Sequence, residues 1–91
     1  MSRKKHDRTP FHIIKSGIIY ELRSEPSGGY TISIPSLQGC ITFGESIEEA
    51  LAMIADAMEG WLWVAAQEGL YIPDEFVPLV PAGVRRRRKA S

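Results

Sequence analysis

Ninety-one residues, 44% hydrophobic and 24% charged, suffice for one small globular domain and leave no second core. The longest apolar run, Trp61 to Ala66, is far short of a membrane span, and a single cysteine, Cys40, excludes an intrachain disulfide or a thiolate metal cluster. The formal charge of zero hides a segregation. Arg3, Lys4, Lys5 and Arg8 outweigh Asp7 at one end, Arg85, Arg86, Arg87, Arg88 and Lys89 crowd the other, and between them only Lys15 and Arg23 face ten carboxylates, a net of −8.

This partition divides the chain into a basic lead-in over 1–16, a domain over 17–81 and a basic tail over 82–91. The end segments have little to bury, so they are expected to be solvated, with phosphate neutralisation or docking on a neighbour's acidic face as the alternatives. No apolar stretch of signal-peptide length follows the N-terminal charges, and there is no Asn to glycosylate, so a cytoplasmic address is expected.

Residues 10–15 are ambiguous between a short strand and an ordered lead-in. Gly17 to Arg23 alternates as a strand with Ile18, Tyr20 and Leu22 on one face. Glu25-Pro26-Ser27-Gly28-Gly29 is a turn cluster, and Tyr30 to Ile34 is a second strand with Tyr30, Ile32 and Ile34 inward. Pro35 to Gly39 is another turn, and Cys40 to Phe43 a short third strand. The short connections predict an antiparallel meander.

The strongest element is a helix from Ile47 to Glu68, about 33 Å long. Ser46 and Glu49 form a capping box in which Ser46 Oγ accepts from the Glu49 amide and Glu49 reaches back to the Ser46 amide. Gly69 is the expected left-handed stop. Ile47, Ala50, Leu51, Ile54, Met58, Trp61, Leu62 and Ala65 make the inward stripe. After the helix, apolar residues alternate with Pro73, Pro78 and Pro81, which predicts an edge strand or an extended arm. The fold class is α+β, an antiparallel β-β-β-α(-β) two-layer unit.

Trp63 points away from the stripe, among Asp56, Glu59 and Gln67, while Met53, Ala57 and Val64 widen the apolar sector on one flank. A helix apolar nearly all round is covered on more than one side. Trp63, Val64 and Met53 are therefore candidates for self-association, a dimer or tetramer. The alternatives are that a 70–81 arm folds over Trp63 or that it lies on the surface.

Catalytic chemistry has little to use. His6 lies in a basic segment and His12 has no evident partner group. No phosphate-binding loop or metal-ligand spacing is present, and Glu21 is the single acid within the three predicted strands. Cys40 reads as a small buried hydrophobe. No enzyme activity, cofactor or metal is expected.

Three segments together, Gly28-Gly29-Tyr30, Ile34-Pro35-Ser36-Leu37-Gln38-Gly39-Cys40 and Phe43-Gly44-Glu45-Ser46-Ile47-Glu48-Glu49-Ala50-Leu51, resemble the HicB-like antitoxin family, as does Gly69 followed by Ile72-Pro73. The resemblance covers roughly residues 17–75. It implies a partial ribonuclease-H-like β-β-β-α-β unit with its last strand within 76–84. It also implies a protein that neutralises a small HicA-type messenger-RNA-cleaving toxin by occlusion. Ser36 and Gln38 stand where the family has Asp and Pro, so a contact made by that Asp does not carry over. About 22 residues follow the helix, too few for the DNA-binding domain many members carry, so operator binding is not expected. An acidic body suits a basic toxin, with Glu48, Asp56 and Glu59 as candidate contacts. The alternative is an orphan oligomeric relative that associates nonspecifically with nucleic acid through Arg85, Arg86, Arg87, Arg88 and Lys89.

Overall fold

A computed structural model describes residues 9–80. Four antiparallel strands come first, β1 (Phe11–Lys15), β2 (Ile18–Ser24), β3 (Tyr30–Ser33) and β4 (Ile41–Gly44), in the sheet order β1-β2-β3-β4. Helix α1 (Ile47–Glu68) and a short 3-10 helix, η1 (Asp74–Leu79), follow. The α+β meander-and-helix arrangement is the one expected.

The ambiguous lead-in is a strand. Lys15 pairs with Ile18 across a two-residue turn, Ser16-Gly17, in which both residues take positive φ (54° and 78°). That is the twist-matched form of a tight hairpin. The sheet therefore begins at Phe11, upstream of residue 17.

Alternation along the strands divides the sheet cleanly. Ile18, Tyr20, Leu22, Ile32 and Ile34 are buried on the inner face. Across the ladder Phe11, Leu22, Ile32 and Thr42 stand in one inner row. On the outer face run His12, Glu21, Ser33 and Ile41 in one row and Arg23, Thr31 and Phe43 in the next.

Helix α1 packs on β4 and β3 and so lies toward one side of the sheet. Ala50, Ile54, Leu62 and Ala65 are its buried residues, all from the expected stripe. Ser46 Oγ accepts from the Glu49 amide at 3.0 Å, but the Glu49 carboxylate accepts from the Glu45 amide at 2.7 Å rather than from Ser46. The reciprocal bond thus closes one residue earlier, still on an orphan donor ahead of the helix. Gly69 closes the helix at φ 74° with its amide donating to the Ala65 carbonyl.

Two expectations for the segment after α1 are corrected. Residues 70–73 have no regular structure and Asp74–Leu79 is a 3-10 helix rather than an edge strand or extended arm. Pro73 precedes it and Pro78 lies within it, places where a missing amide costs little in so short a turn. The segment also serves the core: Phe76 and Val80, four residues apart, are buried in the same apolar cluster as Leu22, Ile54 and Leu62. The last strand implied within 76–84 is therefore replaced over 76–79 by η1, and 81–84 lie outside the described residues.

Candidate functional site

The three carboxylates expected as partner contacts, Glu48, Asp56 and Glu59, lie on the outer side of α1. Steps of three and four residues line up Glu48, Ala52, Asp56, Glu59, Trp63 and Gln67, and all six are exposed. The helix contains no Lys, Arg or His, so no i,i+4 cation answers these acids. Glu48 gains from the helix dipole in the first turn, while Asp56 and Glu59 have no such compensation. No ion pair to Glu48, Asp56 or Glu59 is formed among the described residues. Trp63 lies among them with 47% of its surface exposed. The segment after α1 does not fold over it, which removes the covering-arm alternative for residues 70–80. An exposed indole in one row with unanswered carboxylates can take a cationic, partly apolar surface, the acids by Coulomb attraction and the ring by cation–π contact.

The three residues proposed for self-association do not form one patch. Val64 lines a shallow groove of about 510 Å³ with Cys40 and Ile41, between α1 and the β4 side of the sheet. Met53 lies at nearly the same helical angle as Val64, whereas Trp63 is about 100° round the helix from Val64. Met53 and Val64 are 45% and 49% exposed, respectively.

Trp61 belongs to the inward stripe and also bounds this groove. Its Nε1 donates to the Gln38 carbonyl at 2.9 Å, pinning the second half of α1 to the turn before β4. The sequence signal was weak: an indole on the inward stripe needs an acceptor when it packs. Cys40 is buried, and burial raises its thiol above the ordinary value. The same effect raises the neighbouring Tyr20 hydroxyl, with the Cys40 charge adding to it.

On the outer sheet face Glu21 lies between the His12 ring, Nε2 at 3.4 Å, and the Arg23 guanidinium, a nitrogen at 3.3 Å. The His12 contact crosses from β1 to β2, the Arg23 contact runs along β2, and both are partly exposed, the arrangement of an ordinary surface network. No three His, Cys, Asp or Glu side chains converge on a point among the described residues. None of the described helices is long and apolar enough to cross a membrane. Arg85, Arg86, Arg87, Arg88 and Lys89 lie outside the described residues.

The family model for UPF0150-like proteins matches residues 18–73, running from the start of β2 to the proline before η1. The chain belongs to the UPF0150-like family. No curated protein and no solved structure matches it. The matched span of this UPF0150-like chain takes in β2, β3, β4, the whole of α1 and the ridge, and leaves out β1 and the two basic ends.

Proposed function

We infer that the chain is a HicB-like, antitoxin-type binding protein whose α1 ridge takes a small basic RNA-cleaving toxin of the HicA type and blocks it by occlusion. The observation that carries the reading is the exposed ridge of Glu48, Asp56 and Glu59 around Trp63, on a helix with no cation of its own. UPF0150-like membership supports it, because that family is of the HicB-like antitoxin type. So does the charge: a −8 body steers a basic partner and orients it on approach. An RNA-cleaving toxin must present cationic groups to phosphate, and the ridge offers those groups carboxylates in place of RNA.

The test is co-expression with the small basic protein encoded beside this chain in its native host. A co-purifying complex and rescued growth are expected. Charge reversal at Asp56→Lys with Glu59→Lys should abolish both while leaving the circular dichroism of the free chain unchanged. A partner that neither binds nor is neutralised, or a complex indifferent to the reversal, overturns the reading.

A further inference from the structure

The sheet has two edges, and they are not alike. Edge strand β1 carries Lys15, a charge of the kind that keeps a strand from pairing with another chain. Edge strand β4 reads Ile41-Thr42-Phe43-Gly44, with no charge and no proline. Its backbone polarity follows from the register. The Ile34 amide donates to the Cys40 carbonyl at 3.1 Å, so Cys40, Thr42 and Gly44 face β3. The amides and carbonyls of Ile41 and Phe43 therefore point out of the open edge, which no described strand covers.

The flank of α1 beside this edge is equally free of charge. Met53, Ala57, Gly60 and Val64 occupy it, and Val64 and Gly60 line the groove with Ile41. Acids border it without lying on it: Asp56 belongs to the ridge side, Glu68 follows at the helix end, and Glu49 is engaged by the Glu45 amide. Ile41 is 58% exposed and Phe43 41%. Acidic ridges on two copies repel one another, whereas this strip sets no charge against its own copy and offers a basic toxin or a phosphate backbone nothing to bind.

We propose that two copies of the chain join edge to edge through β4, about a two-fold axis at Thr42, to make one continuous eight-stranded antiparallel sheet. That register places Ile41 opposite the partner copy's Phe43. Four hydrogen bonds form, from each Ile41 amide to a Phe43 carbonyl and from each Phe43 amide to an Ile41 carbonyl. On the outer face the same pairing sets Ile41 against Phe43 twice, an apolar aliphatic–aromatic cross-strand pair. Beneath the sheet the two uncharged α1 flanks meet, with Met53 and Ala57 nearest the axis. Trp63 and the acidic ridge stay outside the contact.

The test uses the full chain alone, with no toxin, so its failure is separate from failure of the antitoxin reading. Sedimentation equilibrium should give a dimer that dissociates on dilution. Hydrogen exchange should show the Ile41 and Phe43 amides protected in the dimer and released as it dissociates, while the Thr42 amide stays protected throughout. Ile41→Lys and Met53→Glu, both at exposed positions, should each raise the dimer Kd about tenfold or more with the fold retained. Trp63→Glu should leave Kd unchanged. A monomer at millimolar concentration, a dimer whose Ile41 and Phe43 amides exchange freely, a monomer in which they are protected, or dissociation by Trp63→Glu and not by Ile41→Lys each overturns the proposal.

Discussion

At Gly44 the end of β4 lies directly against the first turns of α1. A Cβ built there would fall inside contact distance of the Ala50 backbone, which cannot swing aside as a side-chain tip would. Gly44→Ala should therefore cost about 1–3 kcal/mol, the range for overpacking a filled site, read as a lowered urea midpoint. Burial raises both Cys40, just before β4, and Tyr20, on β2, above their ordinary values. Their acid groups ionise more readily in the unfolded chain, so the stability they contribute is complete below their unfolded values and is lost as pH climbs through the raised folded ones. The urea midpoint should fall on the alkaline side and not between neutral and mildly acidic pH on their account. At neutral pH a thiol reagent should label Cys40 at a rate limited by opening of the fold, and labelling that is fast in the native chain would refute the assignment. Trp61→Phe keeps the apolar contact but leaves the Gln38 carbonyl without its indole donor, a loss of about 1 kcal/mol in the same measurement.

At the scale of elements, α1 was the most legible because several independent signals agreed: the Ser46 cap, the acidic first turn, a stripe at helical spacing and Gly69 at the stop. The cap itself is testable, since Ser46→Ala should cost about 1 kcal/mol of global stability. Elements that rest on one signal were read less well. Strand β1 is ambiguous in the sequence because Phe11 to Lys15 is only half patterned, and because its deciding feature is the Ser16-Gly17 hairpin turn, a two-residue signal between strands. The sequence of η1 does not reveal it, because prolines beside apolar residues fit an extended arm as readily as a 3-10 turn. Only tertiary burial of Phe76 and Val80, which a local pattern does not contain, separates the two. The ridge was legible from helical angles alone. The groove was not, because it joins Val64 to Cys40 and Ile41 through the hydrogen bond of Trp61 to a turn more than twenty residues away.

At the scale of the molecule, charge is what distinguishes the two readings of function. An acidic ridge and a C-terminal run of five basic residues in one chain cannot both be the principal contact to a single partner of one sign. If the arginine-rich run binds nucleic acid, it does so by displacing counterions from phosphates. Five cations then limit the slope of log affinity against log salt to about −4.5 on duplex DNA. Deleting residues 85–91 should abolish that binding and leave toxin capture by the ridge intact, because the ridge lies wholly within α1. The Asp56→Lys, Glu59→Lys chain should do the reverse, losing the toxin while binding nucleic acid at least as well, since two repulsive carboxylates become attractive. Titrating both variants against a fluorescent duplex at several salt concentrations separates the roles. A deletion that leaves nucleic-acid affinity unchanged removes the tail from that role, and one that also releases the toxin places part of the capture surface outside the ridge.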